Sequence, residues 1–185
     1  MVGAILTQSA AWKNVEKAII NLKKAQVLTP TRIRTISTDE LALLIHTCGY
    51  YNMKARKLKA LAEWFWIRFK DNLKEMRAFD TAWLRSSLLE VYGVGEETAD
   101  SILLYACDKP VFVIDAYTRR IVDRVGFNFS GGKYPDYQSF FMKNLYRDAR
   151  LFNEYHALLV ALSKDCCRKA PVCPQCCLKE ICKKK

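Results

Sequence analysis

The sequence predicts an all-α fold of two helical lobes, roughly residues 1–110 and 111–185. Three observations lead there. Apolar residues recur at helical spacing through most of the chain. Polar caps and glycine or proline stops bracket those runs. Strand-type alternation, with the hairpin dipeptides that would join strands, is absent from the sequence.

Taken in order, the chain opens on apolar Val2, Ala4, Ile5 and Leu6, with no cap in front. Asn14 to Leu28 reads as a helix, with Val15, Ala18, Ile19 and Leu22 on one face and Thr29-Pro30 as its stop. Ser37-Thr38-Asp39-Glu40 supplies caps for a helix carrying Leu41, Leu43, Leu44 and Ile45, which Gly49 ends. Asn52 to Phe69 is a long basic helix with Leu58, Leu61, Ala62 and Phe65 on one side. Its Lys54, Arg56, Lys57 and Lys59 read as solvated surface. Thr81 is placed to cap a short helix ending near Tyr92. Thr98 to Ala106 and Asp115 to Val125 follow, the second after the apolar run Val111–Ile114. Gly131-Gly132 and Pro135 mark a loop, and Tyr137 to Leu145 and Leu151 to Ser163 are the last helices. Internal repeats and low-complexity stretches are absent.

A length of 185 residues fits one large domain or two small ones, and a hydrophobic share of 51% is ample for a core. Thirty Lys and Arg against 19 acids give a formal charge of +11. Such a field attracts polyanions: nucleic acid first, an anionic membrane second. No apolar run in the sequence is long enough to span a bilayer. The first residues lack the charged start and cleavage site of a secretion signal. The expected location is intracellular, in the cytoplasm or nucleoid, where thiols stay reduced.

Two segments carry chemistry. Gly93-Val94-Gly95 is a tight turn between apolar helices, and a helix starts immediately after it. Glycines let backbone approach a ligand closely, and free amides at a helix start attract anions such as phosphate. By itself such a turn also serves as a plain interhelical connection. The second segment holds Cys166, Cys173, Cys176 and Cys182, spaced C-x6-C-x2-C-x5-C. Four thiolates so close suit a tetrahedral zinc or an iron–sulfur cube. Only Cys173 and Cys176 form a knuckle pair, and that uneven wrap fits the bulkier cluster better than one ion. Buried or disulfide-bonded cysteines are the plain alternative. Cys48 and Cys107 sit among apolar residues as core thiols.

The hairpin Gly93-Val94-Gly95, followed by Thr98-Ala99 and then Val113-Ile114-Asp115, resembles the helix–hairpin–helix DNA glycosylases. The cysteine tail resembles the iron–sulfur loop of that family's endonuclease III branch, and Ile5-Leu6-Thr7-Gln8-Ser9 resembles its segment carrying a glutamine that enters the DNA stack. The resemblance covers essentially the whole chain. It implies a monomer acting on double-stranded DNA that contains a damaged base, with a [4Fe-4S] cluster on the four cysteines and no membrane. Gly93, Val94, Gly95 and Thr98 would meet DNA in the hairpin. Gln8 would fill the hole left by the extruded nucleotide. Arg168 and Lys169 would project from the cluster loop toward phosphate, with Lys179 extending the basic surface and Lys183, Lys184 and Lys185 read as a solvated tail.

An aspartate at position 115 has an ordinary use as a helix N-cap. The resemblance gives it a second one, because the family's essential aspartate lies at the matching position. Loss of a base develops oxocarbenium character on the sugar. A fixed anion stabilises it and can orient or deprotonate the attacking water. Bifunctional relatives carry a lysine two residues after the second hairpin glycine, where this chain has Glu97. Glutamate forms no imine, so the expected enzyme hydrolyses the glycosidic bond and leaves the strand intact. The residues from Glu97 to Cys107, with Val113-Ile114-Asp115, most resemble the 3-methyladenine DNA glycosylase III branch, which removes alkylated purines. An aromatic pocket would stack on the electron-poor flipped base. Trp12 and Tyr50 are its candidates, with Tyr51 and Trp83 behind them, and Asp115 is expected at a cleft between the lobes. Two other readings stay open: a glycosylase for uracil, mismatched or oxidised pyrimidines with lyase activity, and a metal-stapled DNA-binding protein without catalysis. Family members begin with additional residues, including a helix that packs beside the cluster. The sequence therefore starts late, or the cluster lobe lacks a helix and leaves an apolar face uncovered.

Overall fold

A computed structural model describes residues 1–127, 129 and 132–183. Among them are eleven α-helices and no strand. The chain divides into two compact units, Met1–Cys107 and Asp108–Lys185. No helix of the described residues is long and apolar enough to cross a membrane.

The first unit contains α1 (Val2–Leu6), α2 (Trp12–Lys24), α3 (Pro30–Thr35), α4 (Thr38–Leu44), α5 (Tyr51–Phe69), α6 (Leu73–Ala78), α7 (Thr81–Leu89) and α8 (Glu96–Cys107). Helix α5 is its spine, with α1, α3 and α4 packed against it. Leu58, Leu61 and Phe65 of α5 are buried with Ile33 of α3 and Leu41 of α4. Burying each such side chain contributes about 1.5–3 kcal/mol before chain entropy is counted. Ile5 and Leu6 of α1 are both 0% exposed.

Local chemistry explains where sequence and structure differ. Thr29-Pro30 starts a helix instead of ending one. Thr29 accepts from the Arg32 amide at 3.2 Å, and Pro30 sits at the first helical position, where its missing N–H costs nothing. Helix α2 stops at Lys24, short of the expected Leu28, and Gln26 turns left-handed at φ 56°. Helix α6 is an addition, capped by Asn72 through the amides of Lys74 and Glu75. Asp80, not Thr81, caps α7 by accepting from Trp83. Ser37 and Glu40 form the reciprocal capping box at α4.

One basic residue of α5 leaves the surface altogether. Lys54 is 2% exposed, and its ammonium donates to the carbonyls of Leu6 (2.9 Å) and Cys48 (2.8 Å). Burial pulls its pKa below the ordinary value. Lys54 thus caps the end of α1 and the turn before α5 from inside the unit. Between α7 and α8, the Arg85 guanidinium grips the buried Asp100 carboxylate at 2.7 and 3.1 Å, fixing the two helices that flank the Gly93–Gly95 turn.

The second unit contains α9 (Ala116–Val125), α10 (Tyr134–Asn144) and α11 (Ala149–Asp165). Pro135 lies inside the first turn of α10, so the loop expected there is shorter. Gly131, also read as loop, lies outside the described residues, as do Lys184 and Lys185. The run Val111–Ile114 is an irregular buried segment ahead of α9. Phe112 stacks on Phe141 at 4.0 Å and meets Phe152 edge-on. Side chains satisfy its backbone: Gln138 donates to the Phe112 carbonyl at 2.8 Å, and the Ile114 amide donates to the Tyr134 hydroxyl at 3.2 Å. That buried rail sets the position of the next residue, Asp115.

Candidate functional site

In the first unit, Gln8 and the hairpin come together across 85 residues of sequence. The Gln8 amide donates to the Gly93 carbonyl at 2.9 Å and to the Thr98 hydroxyl at 3.0 Å. Its own carbonyl oxygen accepts from the Lys57 ammonium at 2.6 Å. Thr98 is buried, so its hydroxyl serves Gln8 from beneath the hairpin. Val94 is 6% exposed and its amide donates to the Val91 carbonyl, which leaves Gly95 as the open residue of the turn. Gly93 has φ +80°, and a Cβ there would lie 2.4 Å from the Lys57 stem. Glycine is needed for both reasons. Glu96 and Glu97 open α8, with Glu97 exposed.

Trp12 and Tyr50 are surface residues, 50% and 71% exposed. Trp12 starts α2 and donates its indole N–H to Glu16 at 2.6 Å. Tyr50 precedes α5 in a left-handed conformation, φ 45°. The turn leading to Tyr50 is tied to the first turn of α2, where Thr47 donates to the Asn14 carbonyl at 2.9 Å. The two rings therefore leave neighbouring, hydrogen-bonded segments. Trp83 belongs elsewhere, in an aromatic group with Phe79 and Phe69.

In the second unit, Asp115 caps α9. Its Oδ1 accepts from the Thr118 amide at 2.7 Å, so the ordinary capping use is real. Its Oδ2 faces His156 Nε2 of α11 at 3.6 Å, and both side chains are largely enclosed, at 14% and 12% exposure. Burial, the largest influence, pushes the carboxyl pKa up. Interactions with His156 and the Thr118 amide together outweigh it and hold Asp115 below its ordinary value. The result is a fixed, ionised carboxylate with one oxygen committed to the helix and one turned toward an imidazole.

The four predicted ligand cysteines line one cavity of about 240 Å³, together with Cys167, Arg124 and Lys179. Among the described residues, no three His, Cys, Asp or Glu side chains are drawn tightly enough to hold a single ion. Four cysteine thiols around one cavity are a donor set that either a zinc ion or an iron–sulfur cluster accepts. Arginines of α9 fasten the loop. Arg124 donates to the carbonyls of Arg168 (2.6 Å) and Lys169 (3.0 Å), and Arg120 donates to the Cys167 carbonyl at 2.9 Å. Arg168 and Lys169 are exposed, and the Arg168 Nε bonds back to the Lys164 carbonyl at 2.8 Å.

Sequence reasoning missed three contributors: His156, Lys57 and the Arg120–Arg124 pair. His156 stands in an amphipathic helix with no motif around it. Lys57 was one lysine among several on a basic helix. The arginines lie on α9 at spacing that reads as surface.

The chain is similar to known proteins. A family model described as HhH-GPD superfamily base excision DNA repair protein matches residues 2–143. A Methanocaldococcus jannaschii protein named as a DNA repair glycosylase is 46% identical over 184 residues, which is 98% of this chain and 83% of that one. Endonuclease III of Sulfolobus acidocaldarius is 30% identical, over 99% of this chain and 80% of its own. The structure of H. pylori 3-methyladenine DNA glycosylase (MagIII) bound to 1,N6-ethenoadenine superposes with a TM-score of 0.78 at 30% identity, covering 88% of this chain and 82% of that one. A trapped endonuclease III–DNA covalent intermediate gives a TM-score of 0.84 at 22% identity over 99% of this chain and 81% of that one, a likeness of fold. With its helical architecture and this family match, the chain belongs to the HhH-GPD superfamily of base excision repair DNA glycosylases.

Proposed function

We propose that this glycosylase is monofunctional, that it hydrolyses the N-glycosidic bond of alkylated purines in duplex DNA, and that Asp115 is its catalytic carboxylate. The observation that carries the reading is the state of Asp115: held ionised, with Oδ1 accepting from the Thr118 amide and Oδ2 facing His156. As the base departs with the bonding electron pair, positive charge develops at C1′ of the sugar, and a carboxylate already fixed in place stabilises it without reorganising. Water adds to C1′, and its proton passes to the carboxylate or to solvent. An alkylated purine is already cationic, as in 3-methyladenine, or weakly bonded, so no strong acid need face it.

The substrate class is supported by the 30% identity with MagIII, which was solved with ethenoadenine bound. Trp12 and Tyr50 supply exposed rings for stacking on the flipped base. Gln8, held against the hairpin, would fill the vacated stack, and the Gly93–Gly95 turn would approach the phosphate backbone. Glu97 at the lyase position argues against a Schiff-base step. The cysteine cavity would hold a [4Fe-4S] cluster on Cys166, Cys173, Cys176 and Cys182, which would staple the loop bearing Arg168 and Lys169. Its use here is structural, and excision proceeds on the chain's own groups.

The test is excision over a panel of duplexes carrying 3-methyladenine, ethenoadenine, uracil, a thymine mismatch or an oxidised pyrimidine. Alkylated purines should be released, and Asp115→Asn should cut the rate to a small residual while duplex binding is kept. Release of pyrimidines alone would reassign the substrate. Release of nothing, with wild type and Asp115→Asn alike, would leave a DNA-binding scaffold.

A further inference from the structure

We infer that His156 is a positioning residue for the Asp115 carboxylate and acts on base excision only through it. The inference rests on the reading of Asp115 given above and extends it to a residue of a different helix.

An N-cap needs one oxygen, and the Thr118 amide occupies Oδ1 at 2.7 Å. Nothing in helix capping calls for a second group at Oδ2, yet His156 Nε2 faces that atom at 3.6 Å inside a largely enclosed space. The terminal torsion of an aspartate is soft, with broad preferences about the Cβ–Cγ bond. A contact at one oxygen leaves the carboxylate free to rock about that contact. Contacts at both oxygens fix its plane. A separation of 3.6 Å is longer than an ideal hydrogen bond but keeps the imidazole in charge-pair reach of Oδ2.

The rest of the unit keeps the imidazole where it is. Helix α11 packs on α9, and Phe152 and Leu159, on either side of His156 in sequence, are buried. One turn further on, Arg120 of α9 bonds Ser163 of α11. The two helices bearing Asp115 and His156 are therefore joined by core packing and by a polar tie that does not involve either residue. His156 is not needed to hold α9 to α11, which separates a positioning role from a purely structural one.

The experiment measures single-turnover release of 3-methyladenine and duplex affinity for the full chain and four variants: His156→Ala, His156→Asn, Asp115→Asn and the double variant His156→Ala/Asp115→Asn. Thermal melting by circular dichroism checks folding. His156→Ala should slow release by about tenfold or more with duplex affinity unchanged. His156→Asn keeps an N–H donor and should recover most of the rate. In the Asp115→Asn background, His156→Ala should change the residual rate no further, because its route of action has been removed. An equal slowing in both backgrounds, or a His156→Ala rate equal to wild type, would overturn the inference. If wild type releases no base at all, the reading of Asp115 fails first, and that outcome is distinct from both.

Discussion

The Gln8 amide and the Gly93 carbonyl are joined by a 2.9 Å hydrogen bond, which ties the end of the first helix to the turn between α7 and α8. With the bonds to Thr98 and Lys57, both ends of the Gln8 carboxamide are engaged. Each such bond contributes only about 0.5–1.5 kcal/mol net, because water competes for the same groups. Exchanging them for bonds to an orphaned base is therefore nearly neutral. On the role proposed for Gln8, these bonds would be exchanged for bonds to the orphaned base, leaving the Lys57 ammonium to meet phosphate.

Gln8→Ala should consequently show two effects. Stability should fall by roughly 1–2 kcal/mol from the lost ties to Gly93 and Thr98, read from urea unfolding. Excision from duplex should fall more than excision from single strands, because only the duplex has a stack to refill. Equal losses on both substrates would assign Gln8 to hairpin architecture alone.

Glu97 gives a gain-of-function test. It is exposed in the first turn of α8, two residues past Gly95. Wild type should give no borohydride-trapped adduct with a DNA containing an abasic site, because no amine stands at that position. Glu97→Lys should give one. The substitution replaces an acid with a cation at a helix N-terminus and should cost about 0.3–1 kcal/mol of stability. A trapped adduct with wild type would make the enzyme a lyase through another lysine.

Much of this was legible in the sequence because the signals are local. Ser37 and Glu40 announce α4, Asp115 announces α9, and the Gly-Val-Gly turn shows where α8 begins. What was not legible depends on distance. Thr29-Pro30 carries opposite meanings as a stop or a start, and the structure resolves it by placing Pro30 in the first turn. Lys54 reads as surface by residue type, and only the carbonyls of Leu6 and Cys48 around it explain its burial. His156 meets Asp115 across 41 positions through the packing of α9 on α11, which no local spacing encodes.

Arg124 tests how the cysteine loop is held. Its guanidinium spans the carbonyls of Arg168 and Lys169 and lies 3.3 Å from Cys167 Sγ, while its own carbonyl accepts from Cys182 Sγ at 3.3 Å. Anaerobically purified wild type should be brown and contain acid-labile sulfide, which zinc would not give. Arg124→Ala should lose that colour several-fold faster in the presence of an iron chelator, while far-ultraviolet circular dichroism retains the helical signal. Colour loss at the wild-type rate would mean the cysteines hold the loop without the arginine.

The charge state of Asp115 makes a prediction about pH. Burial raises its pKa, but His156 and the Thr118 amide outweigh burial, so the carboxyl titrates below its ordinary 3.8. A depressed carboxyl stabilises the fold above its unfolded pKa, and that contribution is lost as pH falls through the folded value. On the role proposed for Asp115, the same depression keeps the required ionised form present throughout the physiological range. Excision by wild type should therefore show no acid limb from this group between about pH 5 and 7. Asp115→Asn preserves a good N-cap and should change stability at neutral pH by only a few tenths to about 1 kcal/mol, while excision is lost. The pairing matters: loss of activity with the fold kept separates the two uses of this residue. An acid limb near pH 6 that disappears in Asp115→Asn would show instead that the carboxyl is protonated when substrate is bound, and that the imidazole and the Thr118 amide do not hold its charge there.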